Sequence, residues 1–222
     1  MFAPRINQSD VSRPRYNIAP MQHVPVITGT GDERTLRDCQ WGLVPDWARD
    51  KTIGSRMINA RIETVADKPA FRTAVHHGRC IIPADGFYEW RKTPSGKQPI
   101  RIHALDAEPF AFAGLQSSWS GDSSGQILFS CVILTQAANS FIAPIHDRMP
   151  VILPESLWNV WTDAAQSAET ALQRIFGEPF GRTLVMTRVS EMVNSPANDS
   201  EQCIAPIGDD DHSHATTGNL WK

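Results

Sequence analysis

The segment at residues 78–90 ends in a carboxylate, Glu89, that lies between two aromatic residues. It reads GRCIIPADGFYEW: a short apolar run predicts a buried strand, a Pro-Ala-Asp-Gly bend follows, and an aromatic-rich strand comes next. A glutamate between Tyr88 and Trp90 is costly to bury unless it is paired, hydrogen-bonded or protonated. Glu89 is therefore a candidate acid or base with a raised pKa. The alternative is a glutamate on the solvent face of an edge strand, because half-exposed strands alternate apolar and polar residues.

A second polar group lies at residues 58–64, where Asn59 and Arg61 are two residues apart. On a strand, residues with this spacing share one face. An asparagine beside an arginine can hold a phosphate or a sugar oxygen. The alternative is a turn asparagine with a structural Arg61 paired to Glu63.

A third group surrounds His146, which follows one apolar segment and precedes the apolar run at residues 151–153. Histidine titrates near neutral pH and is the usual proton-transfer residue. This pattern predicts His146 at the end of a strand, in a catalytic or a structural role. Trp41 and Trp47 flank a Gly/Pro loop and suit either stacking on unpaired bases or core packing.

The composition is that of an ordinary globular protein, with 41% hydrophobic and 20% charged residues in 222. No apolar run reaches the length of a membrane helix and no signal peptide is recognisable, so we expect a cytoplasmic protein. The net charge of −3 disfavours a broad nucleic-acid coat. Residues 1–110 nevertheless carry 16 Lys and Arg against 12 Asp and Glu, which permits a local arginine-lined groove. The four cysteines lack metal-ligand spacing, so we expect no metal.

The pattern of apolar residues predicts many short strands and few helices. The helices are expected at residues 69–77, 154–162 and 165–176. The strands are expected at residues 23–28, 35–41, 57–61, 79–83, 86–92, 99–103, 110–116, 127–135 and 183–189. This order predicts one α+β domain over residues 1–207, built on a curved, barrel-like mixed or antiparallel sheet. Residues 208–222 are acidic and histidine-containing and are expected to form a flexible tail.

Five segments together resemble the SRAP family, the SOS response-associated peptidases or abasic-site processing proteins. The segments are RYNIAP at 15–20, WGLVPDW at 41–47, INARIET at 58–64, GRCIIPADGFYEW at 78–90 and IHDRMPVIL at 145–153. The resemblance implies an open groove for single-stranded DNA containing abasic sites, covalent cross-linking to the abasic aldehyde through the N-terminus, self-removal of the leading Met and no cofactor. We also expect a monomer.

The resemblance assigns catalytic roles to Asn59, Glu89 and His146. Asn59 would orient the N-terminus or the sugar, Glu89 would shuttle protons in imine formation and help remove the leading Met, and His146 would act on the sugar oxygen in ring opening. The other matched positions are expected to bind DNA: Arg61, Arg148, Trp47, Asn17 and Pro20.

The N-terminus departs from the family pattern. The family begins Met-Cys-Gly-Arg-Phe, whereas this chain begins Met1-Phe2-Ala3 and none of its cysteines follows Met1. Either three residues of the natural protein are missing, or the chain is a diverged member limited to imine chemistry from the Met1 amine or to binding. The alternatives to abasic-site processing are a non-catalytic single-stranded DNA-binding module and a hydrolase that uses Glu89 and His146 on another substrate.

Overall fold

Strands dominate the fold, as the sequence predicts. The computed structural model describes residues 2, 6–8, 13–121, 125–208 and 214–215. The strands are β1 (Ile6–Gln8), β2 (His23–Thr28), β3 (Thr35–Trp41), β4 (Asn59–Arg61), β5 (Arg79–Ala84), β6 (Phe87–Thr93), β7 (Gly96–Ala104), β8 (Phe110–Trp119), β9 (Leu128–Ala137), β10 (Arg148–Pro150), β11 (Ile152–Leu153), β12 (Leu184–Arg188) and β13 (His214–Ala215). The helices are α1 (Pro69–His77), α2 (Trp158–Thr162) and α3 (Ala168–Ile175).

The larger sheet closes on itself. Its hydrogen-bonded order runs β1-β3-β2-β5-β8-β9-β10, and β3 also pairs in parallel with β9 through Gln40 and Trp41. This pairing joins β3, β2, β5, β8 and β9 into a ring, so the predicted α+β fold with a barrel-like mixed sheet is confirmed. The short strands β4 and β11 add to β9 and β8 respectively.

A second, antiparallel sheet carries Glu89. Its strand order is β13-β12-β7-β6, so β6 lies at its edge, and Glu89 is opposite Ile100 of β7. Glu89 therefore lies on an edge strand, as in the solvent-face alternative, but its side chain is half-buried and not fully exposed. Its role as an acid or base stays a prediction.

The core has two layers, one on each face of the barrel sheet. Ile81 of β5 packs with residues of the three helices, whereas its neighbours Cys80 and Ile82 pack with Ile100 and Ile102 of the second sheet. A strand covered on both faces has no polar side, which explains the continuous apolar run in the sequence. All four cysteines are buried and free.

Arg79, the first residue of β5, is buried and ties the helices to the sheet. Its guanidinium donates to the carbonyl oxygens of Trp161 at 2.8 Å, Val75 at 2.8 Å and Asp163 at 2.6 Å. A buried charge is tolerated when every donor finds an acceptor. The arginine in the GRCIIPADGFYEW segment thus has a structural role.

The predicted helices are confirmed with small changes at their ends. Pro69 opens α1 and Gly78 follows it, as the sequence indicates. The first turn of the helix expected at 154–162 is a 3-10 helix at Glu155–Leu157. Ser167 caps α3 by accepting a hydrogen bond from the Thr170 N–H at 3.1 Å, so this helix starts later than predicted.

Most of the predicted tail at 208–222 lies outside the described residues, and its described part includes β13, which pairs with β12. No helix among the described residues has the length and apolarity needed to cross a membrane. Over the same residues, His, Cys, Asp and Glu form no cluster of three or more suited to a metal ion.

Candidate functional site

The end of β9 brings three of the predicted site residues into one region. β4 pairs with one edge of β9, placing Arg61 opposite Thr135, and β10 pairs with the other edge, placing Arg148 opposite Ala137. Asn59 and Arg61 are exposed with Ala60 buried between them, so they share the outer face of β4 as predicted. Asn59, Arg61 and Arg148 therefore flank the same short length of sheet.

His146 stands two residues before β10, held by backbone contacts. Its own N–H donates to the Ile142 carbonyl at 3.1 Å, and the Arg148 N–H donates to its Nδ1 at 3.0 Å. The Arg148 carbonyl oxygen also lies 3.0 Å from Nδ1, so Nδ1 can accept from the Arg148 N–H or donate to its carbonyl, depending on the tautomer. The side chain is 47% exposed.

Glu89 is half-buried on β6 and lies within electrostatic reach of the His146 loop. Burial, the largest effect, raises the pKa of Glu89 above its ordinary value of 4.5. The charge of His146 opposes this rise and the charge of Asp147 adds to it. The structure thus brings Glu89 and His146 together from two different sheets, and keeps Glu89 protonated to a higher pH than an exposed glutamate.

Arg148 is engaged by an acidic partner. Its Nη1 and Nη2 donate to the two carboxylate oxygens of Glu63 at 2.7 Å and 2.8 Å, and Nη2 also donates to the Thr135 carbonyl at 2.6 Å. The hydrogen bond from Arg148 lowers the pKa of Glu63, against a smaller opposing effect of burial. Glu63 therefore pairs with Arg148 and not with Arg61, whose exposed guanidinium faces outward beside Asn59.

Trp47 and Pro20 are both exposed on turns. Trp47 is 57% exposed, the largest value among the exposed tryptophans. Pro20 precedes Met21, which adopts a left-handed backbone with φ of 71° and is also exposed. Exposed apolar side chains can stack on unpaired bases, and the contact of Trp47 and Pro20 with DNA stays a prediction.

Asn17 is buried, with its amide used inside the protein. Its Nδ2 donates to the carbonyl oxygens of Val193, Ser195 and Asn198 at 3.0–3.2 Å. The carboxylate of Asp199 accepts the N–H of Asn17 at 3.1 Å. These contacts give Asn17 a structural role in joining two distant segments, while the predicted contact with DNA stays untested.

Phe2, the first described residue, packs against Trp158 and is hydrogen-bonded to Arg34. Its ring stacks on Trp158 at a centroid distance of 4.6 Å, and its carbonyl accepts a hydrogen bond from Arg34 Nη1 at 3.2 Å. Met1, the candidate source of an amine, lies outside the described residues.

A cavity of about 300 Å³ lies beside Trp158, Phe180 and Arg182, and its lining includes none of the predicted site residues. Glu89 and His146, which lie within electrostatic reach of each other, are both outside this cavity.

The SRAP profile, described as "SOS response associated peptidase (SRAP)", matches residues 2–196. The chain belongs to the SRAP family. It is 42% identical over 193 residues to the abasic site processing protein YoaM of Bacillus subtilis, covering 86% of this chain and 85% of that protein. It is 29% identical over 226 residues to the abasic site processing protein HMCES of Gallus gallus, covering 88% of this chain and 67% of that protein.

A crystal structure of a protein from Bacteroides thetaiotaomicron has a similar fold. The TM-score is 0.73 at 26% sequence identity, covering 84% of this chain and 82% of that one. Asn59 lies on a strand paired to the barrel, whereas Glu89 lies on the second sheet and His146 in the loop before β10.

The contacts of two acidic residues, Glu63 and Asp199, could not be predicted from the sequence. Glu63 appeared there only as a partner for Arg61, because Arg148 is 85 residues away in the chain. Asp199 was not singled out at all, because its partners Tyr16 and Asn17 are more than 180 residues away. The adjacent Asp147, which raises the pKa of Glu89, could have been found from its position beside His146.

Proposed function

We propose that this SRAP protein binds single-stranded DNA and processes abasic sites through a covalent link between its N-terminus and the abasic aldehyde. The observation that carries the proposal is the half-buried Glu89 within electrostatic reach of His146, whose Nδ1 is held by the Arg148 backbone. Family membership, and relatives named abasic site processing proteins, support the same reaction. We propose the soluble cell interior as its location and a monomer as its working form.

The first chemical step is opening of the abasic sugar, which exists mostly as a closed hemiacetal. His146 in its protonated form gives the Nε2 proton to the ring oxygen as the bond between that oxygen and C1′ breaks. The C1′ hydroxyl loses its proton to water, and C1′ becomes the aldehyde carbon. Proton transfer by a positioned side chain contributes about 10²–10⁴-fold to such a step.

The second step joins the N-terminus to that aldehyde. The terminal amine adds to C1′ to form a carbinolamine. Its hydroxyl takes a proton from Glu89 and leaves as water, and the resulting iminium nitrogen returns its proton to the Glu89 carboxylate to give an imine. An N-terminal cysteine would then add its thiol sulfur to the imine carbon, and the thiol proton would move to the nitrogen as a five-membered ring closes. A raised pKa favours the protonated form of Glu89 that this step needs.

The residue at the N-terminus determines how many of these chemical steps can take place. Cys39, Cys80, Cys131 and Cys203 are buried and internal, so none can close the ring. With Met1 as the first residue, the chain can stop at the imine. Arg61 and Arg148 would bind phosphates, Asn59 would orient the sugar or the terminus, and Trp47 and Pro20 would support unpaired bases.

The test uses an oligonucleotide with one abasic site and two proteins: the chain as written, and a form beginning Met-Cys-Gly-Arg-Phe. We expect the second form to give an adduct that survives denaturation. The chain as written is expected to give one only when borohydride reduces the imine. An oligonucleotide with a tetrahydrofuran in place of the abasic sugar lacks the aldehyde and serves as the control. Absence of an adduct from both proteins would remove the covalent reaction.

A second candidate is a single-stranded DNA-binding module without covalent chemistry, favoured by the burial of all four cysteines. It predicts salt-sensitive binding, no adduct with or without borohydride, and unchanged binding in Glu89→Gln. A hydrolase using Glu89 and His146 on another substrate would instead show no preference for abasic DNA.

A further inference from the structure

Arg148 is held through both its side chain and its backbone, and the backbone contact is to His146. At its outer end, the guanidinium forms a two-pronged ion pair with Glu63 and a hydrogen bond to the Thr135 carbonyl. At its inner end, the backbone N–H donates to His146 Nδ1 at 3.0 Å. Glu63 therefore connects the segment after β4, which carries Asn59, to the histidine loop before β10.

The backbone of Arg148 provides for both protonation states of His146. Its N–H and its carbonyl oxygen each lie 3.0 Å from Nδ1. The neutral ring accepts from the N–H, whereas the protonated ring can donate from Nδ1 to the carbonyl. Nδ1 is thus the anchored end, and Nε2, which has no hydrogen bond to any described residue, is the end that exchanges protons.

We infer that Glu63 is a positioning residue for His146: by holding the Arg148 guanidinium, it keeps residue 148 where its backbone fixes the His146 ring with Nε2 facing the substrate. The inference deepens the proposed function, because its catalytic consequence rests on His146 acting in sugar opening. Glu63 itself touches neither DNA nor the reacting atoms.

Two structural details support a positioning role. The Arg148 Nε atom is buried without a hydrogen-bond partner among the described residues. The orientation of the guanidinium therefore allows hydrogen bonds to Glu63 and Thr135 but none from Nε. The charged groups that face His146 are Glu89 from β6, with Asp147 and Arg148 from its own segment. Among the described residues, Glu63 is the acid that pairs with the Arg148 guanidinium, and neither Glu89 nor Asp147 forms an ion pair with it, so neither replaces Glu63 when Glu63 is lost.

The first test measures the His146 tautomer in the free protein by ¹⁵N NMR, with His146→Asn used to assign the signal. We expect the unchanged protein to show Nε2–H at a pH where the ring is neutral. Glu63→Gln is expected to give a mixture of Nε2–H and Nδ1–H. If the Glu63→Gln protein does not fold, Glu63→Asp replaces it in the test. Glu63→Asp is expected to show a smaller proportion of Nδ1–H, because the shorter side chain brings its carboxylate less close to Arg148.

The second test measures adduct formation in single turnover for the form beginning Met-Cys-Gly-Arg-Phe. Glu63→Gln is expected to lower the maximal rate on the order of tenfold and to move its pH profile, because small misplacements of a catalytic group cost this much. The protein concentration at half-maximal rate should not rise, since Arg148 keeps its charge. Glu178→Gln, an exposed glutamate after α3, is the matched control.

The outcomes separate the two proposals. An unchanged tautomer together with an unchanged rate in Glu63→Gln overturns the positioning role. An Nδ1–H tautomer in the unchanged protein overturns it as well. Absence of any adduct in the parent protein instead contradicts the proposed function, and the tautomer measurement still decides whether Glu63 positions His146.

Discussion

Glu89 fits both interpretations drawn from the sequence, because it lies on an edge strand and is still half-buried. Edge position gives substrate access, and burial raises the pKa. His146, whose side chain is 47% exposed, lies within electrostatic reach of it. A carboxyl with a raised pKa near a histidine is an arrangement suited to acid–base catalysis.

Replacement of Glu89 by Gln should change how stability depends on pH. A folded-state pKa above 4.5 means that folding favours the protonated acid, so the native protein loses stability as pH rises through that pKa. Gln cannot ionise and escapes this loss. We expect the melting temperatures of the two proteins to agree below pH 4.5, the ordinary value, and Glu89→Gln to be the more stable near neutral pH.

The same variant should also lose adduct formation in the form beginning Met-Cys-Gly-Arg-Phe, because imine formation needs the acidic proton. Thermal unfolding monitored across a pH series, and the denaturing gel, check the two expectations separately. A melting temperature for Glu89→Gln that is lower than the parent's at neutral pH would show that the ionised carboxylate stabilises the fold.

At the scale of elements, local signals in the sequence were enough to predict α1 and β5. Pro69 and Gly78 mark the start and the end of the helical pattern of α1. The apolar run after Arg79 predicts a strand that is buried on both faces. The closure of the barrel by β3 and β9 has no local signal, because it depends on a two-residue parallel contact between distant segments. The Glu63–Arg148 pair could not be predicted for the same reason, although Glu89, His146 and Asn59 could be selected by the family motifs.

Substitution of Asn17 can show whether the RYNIAP segment at residues 15–20 has a structural role or binds DNA. Asn17→Ala would remove the amide that donates to the carbonyl oxygens of Val193, Ser195 and Asn198, of which Ser195 keeps the Asn198 N–H and Asn198 keeps the Cys203 thiol as donors. A buried acceptor left unsatisfied costs about 1–3 kcal/mol, so we expect the free energy of unfolding to fall by about 2 kcal/mol through Val193. Urea denaturation measures this change.

A direct DNA role for Asn17 makes a different prediction. With a purely structural role, the affinity of the folded Asn17→Ala protein for single-stranded DNA should stay within about twofold of the parent. Asn7→Ala provides the matched asparagine substitution in β1. A large loss of affinity without a loss of stability would restore Asn17 to the DNA-binding surface.

For the whole molecule, charge limits how DNA can be bound. The net charge is −3, so a long-range attraction to phosphates is weak and binding depends on local cations. Arg148 has most of its charge offset by Glu63 in the free protein, whereas the exposed Arg61 on β4 faces solvent beside Asn59. Arg61 is therefore the cation that we expect to contribute most to phosphate binding in this region.

Arg61→Gln should consequently weaken binding of single-stranded DNA and flatten its salt dependence. Each phosphate neutralised on a single strand contributes about −0.7 to the slope of log K against log salt concentration. Loss of one contact should reduce the magnitude of the slope by about 0.7, as measured by fluorescence anisotropy over a salt series. Arg72→Gln removes an exposed arginine of α1 and should leave the slope unchanged. Equal changes in the two variants would mean that binding follows the overall charge and would contradict phosphate binding at Arg61.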